Sequence, residues 1–200
     1  MAGGRAAVAC DLDDADGAAV FRRTAYVPAT RAESLYSNFS VGENLVARLG
    51  VPRIAGPMLA LKKRRMREIA AESVKRFFVK TGTLTQGIRS LSGGNQQKVA
   101  IAQALALEPR LVLLEEPTRG VDIQSRREIY RLLRDFAAAG NAVVMFCTEV
   151  LEIFEAADKV IVVSDGRLSE PLRVSDFAQV EDLAAAITRL ERHAKQRAAA

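Results

Sequence analysis

Between Ser90 and Asp122 a glycine-rich helix start is followed closely by an apolar run that ends in two acids, and this order restricts the fold more than anything else in the chain. The residues Leu91-Ser92-Gly93-Gly94-Asn95-Gln96-Gln97-Lys98 set a serine and two glycines ahead of helical spacing at Val99, Ala102, Leu105 and Ala106. A loop that feeds a helix in this way presents free backbone N–H groups and the positive end of the helix dipole. Such a place suits an anion, above all a phosphate. The glycines let a ligand approach the backbone closely. Downstream, Leu111-Val112-Leu113-Leu114-Glu115-Glu116-Pro117-Thr118 reads as a buried strand that ends in carboxylates. α/β nucleotide enzymes place a magnesium ligand and a water-activating base at strand ends of this kind.

The rest of the chain supports an α/β class. Ala142 to Cys147 is a nearly continuous apolar strand, the mark of a parallel sheet covered on both faces. Helices are expected at Val41 to Leu49, with Ser40 and Glu43 forming a capping box, at about Ala60 to Lys80, and at Ser125 to Ala139 with Gly140-Asn141 ending it. A short helix to Ala157, a strand from Val160 to Val163, a hairpin turn at Asp165-Gly166-Arg167-Leu168 and a helix from Val180 to about Lys195 complete the chain. Repeated strand–helix–strand units predict a mostly parallel sheet flanked by helices. Thr24 to Pro28 reads as a short strand, and the first 21 residues as loop around the acidic run Asp11 to Asp16, with a short edge strand at Ala6 to Ala9.

At 200 residues and 49% hydrophobic content the chain can bury one good core. No apolar run approaches the length of a membrane span, and Met1-Ala2-Gly3-Gly4-Arg5 does not resemble a signal sequence, so a soluble, cytoplasmic chain is expected. Cys10 and Cys147 form no CxxC pair, and Cys147 reads as a buried thiol. The single histidine, His193, reads as surface. The formal net charge of +5 leans toward anionic partners, while the basic run Lys62-Lys63-Arg64-Arg65 reads as a solvated helix face.

The string Leu91 to Asn95, the acid-ended strand and the following Arg119-Gly120-Val121-Asp122 resemble the nucleotide-binding domain of ABC transporters: its signature, its Walker B strand and its D-loop aspartate. The NQQK continuation and the EPTRGVD string are most similar to the second cassette of tandem sugar-importer ATPases of the ribose/galactose type. The resemblance runs over roughly residues 22 to 168. It implies a partial cassette over 22–170 with a helical subdomain at about 40–107, preceded by a poorly matched segment 1–21 and followed by a helical extension over 171–200.

What the resemblance implies for chemistry is uneven. Glu116 stands at the catalytic base position, Glu115 replaces the usual aspartate as a magnesium ligand, and Thr148 replaces the switch histidine. A P-loop needs Gly-x-x-x-x-Gly-Lys-Ser/Thr, yet the first lysine is Lys62 and no Gly-Lys dipeptide occurs; Ala29-Thr30-Arg31 stands at the Q-loop. The matching groups, Ser92, Gly93, Gly94, Asn95 and Gln96 with Asp122, are those that cassettes offer across a dimer. The resemblance therefore implies ATP and Mg2+ bound in a composite dimer site, with the signature given in trans to a second cassette that has an intact Walker A. It implies a chain that does not hydrolyse ATP by itself, lying peripherally on the inner face of the cell membrane. Its other partners would be membrane-spanning permease subunits and, through them, a sugar-binding protein; no nucleic acid is expected. The alternatives are a non-functional or regulatory ABC remnant, and an ABC-type protein outside transport, for which the coiled-coil heptads of the repair type or a tandem cassette would be wanted.

Overall fold

A computed structural model describes residues 5–9, 23–55, 61–164 and 166–198. Its centre is a mixed sheet built from β1 (Arg5–Ala9), β2 (Thr24–Val27), β3 (Leu111–Glu115), β4 (Ala142–Cys147), β5 (Lys159–Ser164) and β6 (Arg167–Leu168), with β7 (Leu172–Arg173) paired to β5. The strand order is β2-β3-β4-β1-β5-β6. β2, β3 and β4 are parallel, with Val27 opposite Leu114 and Glu115 opposite Phe146, so their carboxyl ends share one edge. The parallel α/β expectation holds for this part of the sheet.

β1 departs from it. The strand expected at a sheet edge lies inside the sheet, antiparallel to both neighbours, with Arg5 opposite Cys147 and Ala9 opposite Val143 on one side and Arg5 opposite Val162 on the other. A short run of small apolar residues carries no signal for whether one or both of its edges are bonded, so the sequence left this open to packing. β4 and β5, each antiparallel to β1, run in the same direction.

The core forms where helices cover the sheet. Val112, Leu114, Met145, Cys147, Val160 and Val162 from the strands meet Val99, Ile101, Ile129 and Leu133 from the helices Gly93–Leu105 and Ile123–Ala138. The helix Val180–Ala198 adds Leu183 and Ile187, both fully buried.

The helical part begins at the expected capping box. Glu43 N–H donates to Ser40 Oγ at 3.2 Å and Ser40 N–H donates to Glu43 Oε2 at 2.8 Å, which satisfies two orphan donors of the helix Val41–Val46. That helix stops short of Leu49: Ala47 N–H turns to the Asn44 carbonyl three residues back, and Gln103 Nε2 donates to the same carbonyl at 2.6 Å; the buried Asn44 amide accepts from Tyr36 N–H and donates to the carbonyls of Tyr36, Phe39 and Ser40. The expected long helix is likewise shorter, Lys63–Arg76, because Phe78 takes φ +52, a left-handed value that no helix continues through.

Candidate functional site

The glycine-rich helix start is where the sequence puts it. Ser92 is the N-cap of Gly93–Leu105, but its hydroxyl makes no cap bond. It accepts instead from Asn95 Nδ2 at 2.9 Å, while Asn95 Oδ1 accepts from Lys80 N–H at 2.8 Å and Gln96 Nε2 donates to the Leu91 carbonyl at 2.9 Å. Of the five expected ligand residues, Asn95 and Gln96 thus pin the loop. Ser92 is exposed at the helix mouth and Gly93 is half-buried. Below them Lys98, with no exposed surface, donates from Nζ to Glu128 Oε2 and to the Phe78 carbonyl, both at 2.7 Å. This buried cation fixes the helix to its neighbour Ile123–Ala138.

The aspartate assigned to the D-loop comes to the same place. Asp122 caps Ile123–Ala138, its Oδ1 accepting from Ser125 N–H at 2.9 Å. The backbone and hydroxyl bonds from Ser125 hold its carboxyl below the usual carboxylate range. A Cβ on Gly94 would stand 3.0 Å from Asp122 Oδ2, so the glycine is required by closeness. A Cβ on Gly93 would stand 3.4 Å from Arg31 Nη2 and 3.5 Å from the Gly120 carbonyl, and Arg31 Nη1 donates to the Arg119 carbonyl at 3.5 Å. Arg31 thus brings a cation to the glycine-rich mouth. Sequence reasoning did not select it, although it is the one charge in Ala29-Thr30-Arg31 after Pro28.

The two acids sit at the shared carboxyl edge of the parallel strands. Glu115 ends β3, half-buried, with Oε2 accepting from Ala29 N–H at 3.5 Å. Burial first, and then Glu115, push the Tyr26 phenol up. Glu116 is 8% exposed and takes φ +44, held there by its N–H to the Phe146 carbonyl at 2.8 Å and by Arg119 N–H on its own carbonyl at 3.1 Å. A non-glycine residue in this region is strained, and such strain gathers at functional sites. Thr148 lies exposed just beyond the end of β4, at the same edge.

Behind Glu116 is a buried polar cluster that the sequence did not announce. Thr118 and Tyr130 share a hydrogen bond at 3.2 Å between their hydroxyls. Glu152, 3% exposed, bonds Tyr130 and keeps its Oε1 without a partner. Burial pushes its carboxyl up, and the charge of Glu116 adds to the push. The Cys147 thiol, 1% exposed, is pushed up for the same first reason, as the expected buried thiol should be.

β1 does not serve this edge. Ala9, at its carboxyl end, pairs with Val143 near the start of β4, and Thr24 pairs with Leu111 at the start of β3. Both ends of the β1–β2 connection therefore lie at the edge opposite Glu115, Glu116 and Thr148. Among the described residues no group of three or more His, Cys, Asp or Glu is placed to hold a metal ion. A magnesium ion carried by phosphates asks less, one or two carboxylates, and Glu115 fits that demand. His193 and Cys10 offer nothing to the site: the His193 side chain and all of Cys10 lie outside the described residues.

A family model described as ABC transporter matches residues 8–119. The ribose import ATP-binding protein RbsA of Ruegeria sp. (strain TM1040) is 38% identical over 149 residues, which are 74% of this chain and 29% of that protein. Its counterpart in Rhodopirellula baltica is 38% identical over 172 residues, 86% of this chain and 33% of that protein. The chain thus spans about a third of the length of the curated relatives it matches. Among solved structures, the ATP-binding cassette MJ0796 in a dimeric post-hydrolysis state bound to ADP and Pi is similar at TM-score 0.61 and 24% identity, over 81% of this chain and 69% of that one. The cbiO1 protein from Clostridium perfringens, part of the ABC transporter complex cbiONQ, is similar at TM-score 0.62 and 23% identity, over 88% of this chain and 68% of that one. The fold is that of an ABC cassette.

Proposed function

The chain belongs to the ABC transporter family, and on that premise we propose that it is an ATP-binding-cassette subunit of a carbohydrate importer that lends its signature to a partner cassette's ATP site. The sugar class rests on its relatives, which are ribose import ATP-binding proteins. Membrane-spanning permease subunits and a substrate-binding protein are the partners this reading needs, and it sets the chain against the inner face of the membrane; among the described residues no helix is long and apolar enough to cross one.

The observation that carries the trans role is the close packing of Gly94 on Asp122 and Ser125. The signature and the aspartate form one preformed unit with Ser92 exposed at its mouth. The other half of a nucleotide site has no such support. No P-loop pattern occurs in the sequence, and β1 ends at the opposite edge. In the composite site, Ser92, Gly93 and the first-turn N–H groups would meet terminal phosphates of ATP held by the partner, with Arg31 adding positive charge. In the chain's own half-site, distinct from the one its signature completes, Glu115 would hold a phosphate-borne magnesium ion, whose chemistry is to neutralise charge that develops on the phosphoryl oxygens. Glu116 would orient a water from its constrained turn.

Titration of a fluorescent ATP analogue with magnesium, with and without a cassette that has a P-loop, tests this. The chain alone should bind nothing, while the mixture binds and turns over. Ser92→Asp should abolish turnover in the mixture: aspartate is a good N-cap, so the helix is kept, but its charge repels phosphate. Tight binding and hydrolysis by the chain alone would overturn the proposal. A mixture indifferent to Ser92→Asp would leave the regulatory remnant in its place.

A further inference from the structure

Ser92 stands at a helix N-cap but does not bond as one. A serine hydroxyl at this position ordinarily accepts from the backbone N–H two or three residues on, here Gly94 or Asn95. Ser92 makes no such bond. Its Oγ accepts instead from the side chain of Asn95, with Nδ2 at 2.9 Å. Asn95 thus offers its side-chain amide in place of its backbone N–H, and the cap consumes none of the first-turn N–H groups.

The direction of this bond is fixed from behind. Lys80 N–H donates to Asn95 Oδ1 at 2.8 Å, and a backbone N–H can only donate. The Asn95 oxygen must therefore face Lys80 and its NH2 must face Ser92, which settles the two ends of the amide. Asn95 is 8% exposed, and the carbonyl of Phe78, two residues before Lys80, accepts from the buried Lys98 Nζ at 2.7 Å. Asn95 and Lys98 lie three residues apart on one helix, so one face of it grips the turn at both Phe78 and Lys80.

A hydroxyl carries one proton and two lone pairs. The Asn95 amide occupies a lone pair, so the Ser92 proton is left to donate outward, where Ser92 is exposed. Terminal phosphate oxygens only accept. We propose that Asn95 is a positioning residue: it sets Ser92 as a hydrogen-bond donor to a phosphate oxygen and spares the first-turn N–H groups for the same anion. This role rests on the reading of the loop as the trans half of a nucleotide site, and adds which atom donates and what turns it.

A cycle of Ser92→Ala, Asn95→Asp and the two combined tests it, read as ATP turnover in the mixture with a cassette that has a P-loop. In Asn95→Asp one carboxylate oxygen still accepts from Lys80 N–H, while the other draws the Ser92 proton inward. Acids suit the first turn of a helix, so the fold should be kept, and a melting curve checks it. Ser92→Ala should lower turnover about tenfold, as loss of a hydrogen bond to a charged group does. Asn95→Asp should lower it further, because its charge also opposes the phosphate. The charge acts in both backgrounds and the turned hydroxyl only where Ser92 is present. The loss from Asn95→Asp should therefore be several-fold smaller when it is made in Ser92→Ala.

Equal losses in the two backgrounds would overturn the proposal and leave the trans reading standing. So would turnover that Ser92→Asp abolishes and Ser92→Ala does not change, since phosphate would then meet the loop without the hydroxyl. Turnover indifferent to both serine variants removes the trans reading and this role with it. Hydrogen exchange of the chain alone, followed by nuclear magnetic resonance, gives a readout without nucleotide and decides the matter should Asn95→Asp unfold. Ser92→Ala should speed exchange of the Asn95 side-chain NH2 protons several-fold while Lys80 N–H stays as protected as before; unchanged exchange of that NH2 would overturn the proposal.

Discussion

Gly94 lies against Ser125 so closely that a Cβ on the glycine would stand 2.6 Å from the serine Cβ. Two stretches about thirty residues apart in sequence, a helix start and a helix cap, thereby share one packed surface.

Gly94→Ala should consequently destabilise the chain by about 1–3 kcal/mol through overpacking, lowering Tm by roughly 3–10 °C at this size. Gly93→Ala, whose Cβ would stand 3.4 Å from Arg31 Nη2, should melt close to the parent. Thermal unfolding of the two variants compares them directly. Equal losses would mean that the contact at Ser125 is not what Gly94 is there for.

The ion pair beneath the signature should be strongly asymmetric. Glu128→Ala leaves the Lys98 ammonium buried with only the Phe78 carbonyl as partner, at a loss of about 3 kcal/mol. Lys98→Met keeps the volume and removes the buried charge, and should lose less. Urea midpoints of the two single variants and the double variant measure the difference and the coupling; a larger loss for Lys98→Met would contradict it.

Glu152 should make the fold sensitive to alkali. Its folded pKa is raised, by burial first, so the folded state binds its proton more tightly than the unfolded chain does. The stability it contributes is complete below the ordinary carboxylate range and is lost as pH rises through the raised value. The groups that face it are Tyr130, Glu116, Arg126, Glu149 and Cys147. Glu152→Gln should gain stability relative to the parent as pH goes from 5 to 8. A difference between the two proteins that is the same at both pH values would refute this.

Asp122 should act in the opposite sense. Bonds from Ser125 lower its folded pKa, so its contribution is present above the unfolded value and fades as pH falls through the folded one. Asp122→Ala should destabilise the chain through loss of the cap. Asp122→Asn keeps a capping oxygen and should lose less, with a weaker response to acid. Denaturation of the three proteins at pH 3 and pH 7 separates cap from charge.

Much of this molecule is legible in its sequence where local rules suffice. Leu111 to Glu115 and Ala142 to Cys147 read as strands because continuous apolar runs of that length fit a sheet covered on both faces, and the Ser40–Glu43 box marks its helix start to the residue. The signals fail where the outcome depends on a distant partner. Nothing in Arg5 to Ala9 says that β4 and β5 will bond both of its edges. Apolar periodicity runs on past Arg76 because the left-handed turn at Phe78 leaves no trace in a pattern of hydrophobicity. At the candidate site, Ser92 to Gln96, Glu115, Glu116 and Asp122 are the residues a motif singles out. Arg31, Tyr130 and Glu152 are not, because each comes near the candidate site only through folds of the chain that bring together residues far apart in sequence.

The central position of β1 also sets a timetable for synthesis. Its ladder partners, Val143 to Cys147 and Ile161 to Val162, leave the ribosome more than 130 residues after Arg5 to Ala9. A nascent chain can therefore close this sheet only after Val162 has emerged, with the amide edges of β1 waiting until then for neighbours not yet made.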